Sequence, residues 1–179
     1  MGKIVSIDNL EFEVYIHHQD IQNRILALAK NIEEKYEALN PIFLVVMNGA
    51  FIFAADLLRE IHFPSETAFI RIKSYEGTHS TGVVNISLPE HADISGRHVV
   101  IMEDIVDTGN SMDALLPELK KHQPASIAIT SLLFKPEALQ HDIVVDFPGF
   151  VIPKYFVVGY GLDYNEKGRN LKDIYKLKS

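Results

Sequence analysis

Apolar residues in this chain fall into two alternating patterns. Ile21, Ile25, Leu28, Ala29, Ile32, Tyr36 and Leu39 recur at three- and four-residue spacing with polar residues between them. That period predicts an amphipathic helix, with Asp20 as its cap and Asn40-Pro41 as its end. Ile42–Met47 follows as an unbroken apolar run, which fits a strand buried on both faces, as in a parallel sheet. Asn48-Gly49 breaks it, and helical spacing resumes over Ala50–Ile61 with Phe51, Ala54, Ala55 and Leu58 on one side. Val99–Met102 is a second unbroken run, followed by a turn and a predicted helix over Ser111–Lys121. Pro117 falls inside that helix and is expected to kink or shorten it. Ala125–Phe134 is a third run, Ile143–Asp146 a short possible strand, and Phe156–Val158 a further apolar segment, while Leu162–Ser179 reads as polar.

Thr67–Lys73 alternates and predicts a strand exposed on one face. Ser74–Gly82 is rich in glycine and hydroxyls and reads as a loop, with Val83–Leu88 returning as a strand. Composition alone fits either a functional lid or a plain hairpin tip there. Strand, turn and helix in repeated order predict an α/β fold with a central, mostly parallel sheet flanked by helices. With no repeat, linker or low-complexity tract, residues 1–179 read as a single domain.

Composition narrows the function classes. The chain is 47% hydrophobic and 23% charged, a globular balance, and contains no cysteine, which excludes a disulfide framework, a thiolate metal site and a cysteine nucleophile. No uninterrupted apolar region opens the chain, and no run is long enough to span a membrane, so a cytoplasmic protein is expected. A net charge of −7 argues against nucleic-acid binding. Any phosphate must therefore be held locally, by turn amides, a few basic residues or a divalent metal.

The chemistry concentrates in His98–Met112, HVVIMEDIVDTGNSM. Ligands of open α/β sheets bind beyond the carboxyl ends of the strands, and there this sequence places Glu103 and Asp104, then Asp107-Thr108-Gly109-Asn110-Ser111. A turn entering a helix offers unpaired N–H groups and the positive end of the helix dipole, and Thr108 and Ser111 add hydroxyls. Phosphate fits such a turn; a capping turn without a ligand, with Asp107 as the cap, fits it too. Adjacent carboxylates suit ribose hydroxyls or hydrated Mg²⁺. The segment has neither a Walker A loop nor a G-x-G-x-x-G fingerprint.

VVIMEDIVDTGNSM resembles the 5-phosphoribosyl 1-pyrophosphate (PRPP) motif of type I phosphoribosyltransferases, and three further segments resemble their hypoxanthine-guanine branch. These are Arg71–Gly82 (RIKSYEGTHSTG), Ser131–Lys135 (SLLFK) and Phe156–Leu171 (FVVGYGLDYNEKGRNL). The resemblance implies a small hood subdomain built from the chain ends, and purine salvage: hypoxanthine or guanine plus PRPP gives IMP or GMP and pyrophosphate, with Mg²⁺ as cofactor. It implies Asp107 as the general base at purine N7, and Glu103 and Asp104 on the ribose hydroxyls and Mg²⁺. Thr108, Gly109, Asn110 and Ser111 become the 5′-phosphate cradle. Lys135 is implied at the purine 6-oxygen, Phe156 stacked on the base, Val157 at its edge, and Asp163 near position 2 and a second Mg²⁺. Asn48-Gly49, with a cis peptide before Asn48, and Arg169 take the pyrophosphate side, and Ser74 and Tyr75 the lid. A homodimer or homotetramer is implied as well. Asn48 and Asn110 stand where relatives carry basic residues, which leaves phosphate to neutral donors and the helix dipole.

Other classes fit less well. A PRPP-sensing regulator that binds DNA or RNA needs an added domain or a basic face. A D-x-D-x-T phosphatase pattern is absent, since Asp104 and Asp107 are three apart, and the eight histidines show no H-E-x-x-H spacing.

Overall fold

The structure is a computed structural model that describes residues 4–72 and 93–178. Its elements in chain order are β1 (Ile4–Ile7), β2 (Leu10–Ile16), α1 (His18–Tyr36), β3 (Ile42–Met47), α2 (Phe51–Arg59), β4 (Glu66–Arg71), β5 (His98–Val106), α3 (Asn110–Lys120), β6 (Ser126–Phe134), β7 (Phe147–Val151), β8 (Val157–Val158) and β9 (Ile174–Leu177). The predicted loop Ser74–Gly82 and the strand Val83–Leu88 lie outside the described residues.

The unbroken apolar runs become the centre of a five-stranded sheet in the order β4-β3-β5-β6-β7, parallel at every pairing. Alternate side chains of these strands feed two cores. Phe43, Val45, Val100 and Met102 meet Ile21, Ile25, Leu28 and Ile32 of α1 and Phe53, Ala54 and Leu57 of α2. Leu44, Val46, Val99 and Ile101 meet Met112, Leu115 and Leu119 of α3 on the opposite face. From β3 the chain winds outward through α2 to β4; from β5 it winds the other way through α3 to β6. The strand order therefore reverses between β3 and β5, and the carboxyl ends of those two strands flank the crevice where α/β sheets take their ligands.

The chain ends build a second, antiparallel sheet in the order β1-β2-β9-β8. Its own apolar cluster joins Ile7, Phe12, Val158 and Tyr175, while Ile152, Val157, Tyr160, Leu162 and Ile174 merge into the α1–α2 core. The polar reading of Leu162–Ser179 missed β9: Ile174 and Tyr175 are fully buried, yet two apolar residues among lysines carry no period.

Several local expectations need correction. α1 is preceded by His17 with no side-chain cap, and Asp20 lies inside the first turn. α2 buries Phe53, Ala54 and Leu57 and leaves Phe51 42% exposed. The face Ala50–Phe53–Ala54–Leu57 keeps helical spacing with four buried residues, whereas Phe51 and Leu58 pull the predicted face aside. α3 runs past Pro117 to Lys120. Ile143–Asp146 forms no strand; the Asp146 carboxylate instead accepts the Ile129 N–H at 2.9 Å, and pairing to β6 begins at Phe147.

Candidate active site

β5 does not stop at its apolar run. It continues through Glu103 and Asp104 to Val106, paired to β6 at Glu103 and Ile105, so both acids are buried within the strand rather than exposed after it. Burial pushes both carboxyls above their ordinary range; the neighbouring Asp104 raises Glu103 further, while donors and the nearby Arg169 guanidinium pull Asp104 back down. Asp104 Oδ1 accepts the Ile105 N–H at 2.9 Å, whereas the buried Glu103 Oε2 has no partner among the described residues. A buried carboxylate oxygen without a partner costs free energy until a hydroxyl or cation reaches it.

Across the crevice, β3 ends in a cis Met47–Asn48 peptide, as the resemblance implied. Gly49 then passes so close to Asp104 that a Cβ at that position would lie 1.7 Å from Asp104 Oδ2. A side chain at position 49 would force the Asp104 carboxylate or the turn to move.

Beyond β5, residues Glu103–Met112 line an open cavity of about 260 Å³. Gly109, at φ 84°, is the residue that starts α3, and no side chain caps the helix. Asp107 is thus not the cap that the turn allowed. The amides of Ser111 and Met112 have no partner among the described residues, and the Asn110 N–H reaches only Thr108 Oγ1 at 3.4 Å. The turn therefore presents free N–H groups to the cavity, together with the hydroxyls of Thr108 and Ser111.

Asp107 is held elsewhere. Lys135, at the end of β6 and buried, donates to Asp107 Oδ2 at 2.6 Å. The Lys135 N–H also donates to Val106 O at 2.9 Å, which ties the two strand ends together. A buried ammonium and a half-exposed carboxylate thus stand side by side at the cavity rim, one a donor and one an acceptor.

The C-terminal loop of the hood brings a second set of charged groups close enough for the Arg169 guanidinium to act on Asp104. Arg169 donates to Gly161 O at 2.8 Å and lies 2.7 Å from Asp163 Oδ1, and Asp163 Oδ2 also accepts the Glu166 N–H. Gly161, at φ 104°, runs directly beside the carbonyl oxygen of Gly49, so the C-terminal loop and the turn after β3 touch through two glycines. Phe156 is 45% exposed, with its ring tilted against Phe12 and edge-on to Tyr164, while Val157 is buried in β8. Among the described residues no hydrogen bond or ion pair joins Phe156 or Val157 to Asp107 or Lys135. Ser74 and Tyr75 lie outside the described residues.

Sequence reasoning missed one cluster that holds this loop. The Tyr160 hydroxyl donates to Asp56 of α2, and Gln22 of α1 donates to both Asp56 Oδ2 at 3.0 Å and Tyr160 Oη at 3.2 Å. Burial and the Asp56 carboxylate push the Tyr160 phenol far up, so it stays a donor. Tyr160 has φ 53° and sits between Gly159 and Gly161, so the cluster anchors the loop that meets Gly49. The available signal was Asp56, a lone acid in an apolar helix.

No group of three or more His, Cys, Asp or Glu residues that would hold a metal occurs among the described residues. No helix among them is long and apolar enough to cross a membrane.

Comparison with known proteins identifies the family. Residues 13–165 match the model of the phosphoribosyl transferase domain family. The chain is 41% identical over 179 residues to a hypoxanthine-guanine-xanthine phosphoribosyltransferase of Tritrichomonas foetus, covering 99% of this chain and 97% of the relative. It is 40% identical to a hypoxanthine-guanine phosphoribosyltransferase of Streptococcus pneumoniae, covering 93% of each. The crystal structure of a Staphylococcus aureus hypoxanthine phosphoribosyltransferase superposes with a TM-score of 0.86 at 36% identity, covering 93% of this chain and 91% of that one. The chain belongs to the phosphoribosyltransferase family, among its hypoxanthine-guanine phosphoribosyltransferases.

Proposed function

We propose that the cavity beyond β5 binds PRPP and that the Asp107–Lys135 pair presents a 6-oxopurine, hypoxanthine or guanine, to its C1′. The observation that carries this reading is the ion pair itself. An acceptor and a donor 2.6 Å apart at the rim match the N7–H and O6 edge of an oxopurine. Adenine sets an amino group against the ammonium, donor against donor, and is rejected.

In the reaction the N9 lone pair forms a bond to C1′ as the C1′–oxygen bond to pyrophosphate breaks, and that electron pair leaves with pyrophosphate. Positive charge gathers on the purine, and the Asp107 carboxylate takes the N7 proton. Lys135 holds O6 and fixes the base in plane. The amides of Ser111 and Met112 and the hydroxyls of Thr108 and Ser111 cradle the 5′-phosphate. Gly49 brings the backbone close to the pyrophosphate, and Arg169, gripping Asp163, closes that side with a planar fork of donors. The exposed ring of Phe156 offers a stacking face for the base.

The orphan Glu103 Oε2 and the raised carboxyls of Glu103 and Asp104 fit a ribose diol or a hydrated divalent cation. Such a cation is held by one or two carboxylates with substrate phosphates rather than by a protein cage. Mg²⁺ bound there would neutralise charge on the departing pyrophosphate, and Asp163 would take a second ion in place of Arg169 or the Glu166 N–H, which now hold its two oxygens.

The test is direct. The protein is incubated with PRPP, Mg²⁺ and, separately, hypoxanthine, guanine, xanthine or adenine, and nucleotide formation is followed chromatographically. Monophosphate is expected from hypoxanthine or guanine and not from adenine. No product from any oxopurine overturns the reading.

A further inference from the structure

The polar bonding of residues 163–169 closes almost entirely on itself. Tyr164 and Lys167 exchange backbone hydrogen bonds at 2.9 and 3.0 Å, across a turn in which Asn165 and Glu166 take φ 51° and 62°. The Glu166 N–H holds Asp163, and Arg169 joins Asp163, Glu166 and the Gly161 carbonyl. Among the described residues, the hydrogen bonds and ion pairs that leave this loop for a distant part of the chain all end on one side chain, Asp8. Lys167 Nζ donates to Asp8 Oδ1, and Asn165 Nδ2 donates to Asp8 Oδ2 at 3.1 Å. Both oxygens of the carboxylate are spent on the tip of the loop, and the two donors hold the Asp8 carboxyl below its ordinary range.

Asp8 is placed by its own local sequence. It follows Ile7 in the two-residue turn between β1 and β2, where Ile7 pairs with Leu10, and its φ of 51° lies in the left-handed region. Glycine enters that region freely, and aspartate and asparagine tolerate it. Ile7 lies against the loop as well: a Cβ on Gly168 would fall 2.8 Å from Ile7 Cδ1. Internal bonds fix the shape of the loop, and what leaves it fixes its place. At the inner end Gly161 abuts the Gly49 carbonyl; at the outer end Asn165 and Lys167 grip Asp8. Asp163 and Arg169 belong to the stretch held at these two ends. The contacts of Gly168 with Ile7 and of Tyr164 with Phe12 are apolar. Apolar contact is non-directional, so it keeps the loop on the hairpin without fixing its tilt.

We infer that Asp8 is a positioning residue for the pyrophosphate side of the site, acting through the loop that carries Asp163 and Arg169. The inference rests on the proposed role of those two residues. An exposed ion pair adds little to global stability. The effect of this one is therefore expected in ligand affinity and not in unfolding. A site that is complete only part of the time binds in proportion to that fraction.

The experiment measures by calorimetry the Kd of pyrophosphate with Mg²⁺ and, separately, the Kd of IMP. The proteins are wild type, Asp8→Gly, Asp8→Asn, Lys167→Met and the double variant Asp8→Gly, Lys167→Met. Asp8→Gly removes the hold on the loop while easing the β1–β2 turn, so Tm should stay within about 2 °C of wild type. Its affinity for pyrophosphate should fall about threefold to fivefold, the local bias that an exposed ion pair and one hydrogen bond supply. Asp8→Asn keeps a side-chain acceptor and suits the turn, and its affinity should fall between those of Asp8→Gly and wild type. Lys167→Met should lose about twofold. The double variant should bind no more weakly than Asp8→Gly, because the lysine acts only through the carboxylate already removed. IMP, which carries no pyrophosphate, should bind all of these proteins alike. Wild-type pyrophosphate affinity in Asp8→Gly, an equal loss for IMP, or single losses that multiply in the double variant overturns the inference. If wild type forms IMP from hypoxanthine and PRPP while these affinities stay equal, this inference alone fails; if wild type forms no IMP, the function reading fails first.

Discussion

At Glu103–Asp104 two like-charged carboxylates are buried side by side in a strand, and one oxygen has no partner. Just beyond them Asp107 stands at the rim with a buried ammonium on it at 2.6 Å. The first pair is incomplete and raised above the ordinary carboxylate range; the second is already neutralised. The difference separates two tasks. On the proposed reading, the unsatisfied pair is completed by what binds, a ribose diol or a cation. A satisfied donor–acceptor pair is built to be opened by a ligand that matches both of its halves. The protein keeps the two apart by continuing β5 through the first acids and ending it before the second.

Removing the carboxylate charge from the satisfied pair should do the most damage. Asp107→Asn is expected to lower kcat by about 10²–10³-fold, the usual worth of a placed proton acceptor, with the Kd of PRPP changed by less than about threefold. Steady-state rates beside equilibrium binding check this. Equal losses in both would make Asp107 a structural residue of the turn.

The incomplete pair is next. Gly49→Ala drives a methyl into Asp104, since the Cβ would sit 1.7 Å from Oδ2. Displacing that carboxylate or the turn should cost about 1–3 kcal/mol of stability and raise the KM for PRPP more than that for hypoxanthine. An alanine protein with wild-type PRPP kinetics would show that this close approach does no work.

The same pair has a pH signature. The folded value of Glu103 lies above its ordinary 4.5. Its contribution to stability is therefore complete below the ordinary carboxylate range and is lost as pH rises through the folded value. Glu103→Gln should make the ligand-free protein more stable than wild type at about pH 8, by about 1–2 kcal/mol. The gap should close toward about pH 4, where an ordinary carboxyl is protonated. Thermal unfolding across that range reads it, and a glutamine protein less stable at the alkaline end contradicts the account. Added Mg²⁺ with PRPP should narrow the alkaline gap.

The smallest effect is expected at the hood. Tyr160→Phe removes one donor to Asp56, about 1 kcal/mol, and loosens the loop that meets Gly49. The KM for PRPP should rise about threefold while kcat holds. A change in kcat alone would place the cluster elsewhere in the mechanism.

How much of this was legible in the sequence differs by region, for physical reasons. β3, the opening of β5 and β6 were legible because a strand buried on both faces needs an unbroken apolar run, and Ile42–Met47 matches its predicted bounds. The donor-rich turn that opens α3 was legible because its donors are consecutive residues. The burial of Glu103 and Asp104 was not, since nothing local shows that strand pairing to Ser131 and Leu133 continues past Met102. Lys135 reads as a surface lysine until β5 and β6 are paired, and only the family resemblance singled it out. β9 was invisible, and the Tyr160–Asp56–Gln22 cluster was signalled only by the lone acid Asp56, because both depend on chain ends and helices that meet only in three dimensions.

The central claim, that Asp107 and Lys135 read the base as one unit, is tested most directly by a double-mutant cycle. Asp107→Asn, Lys135→Met and the double variant are compared in kcat/KM for hypoxanthine at saturating PRPP. Residues that act as a unit are grossly non-additive. The double variant should therefore fall short of the product of the single losses by about 10-fold or more. Losses that multiply would mean that the ion pair at the rim is a structural contact and that the two residues meet the purine independently.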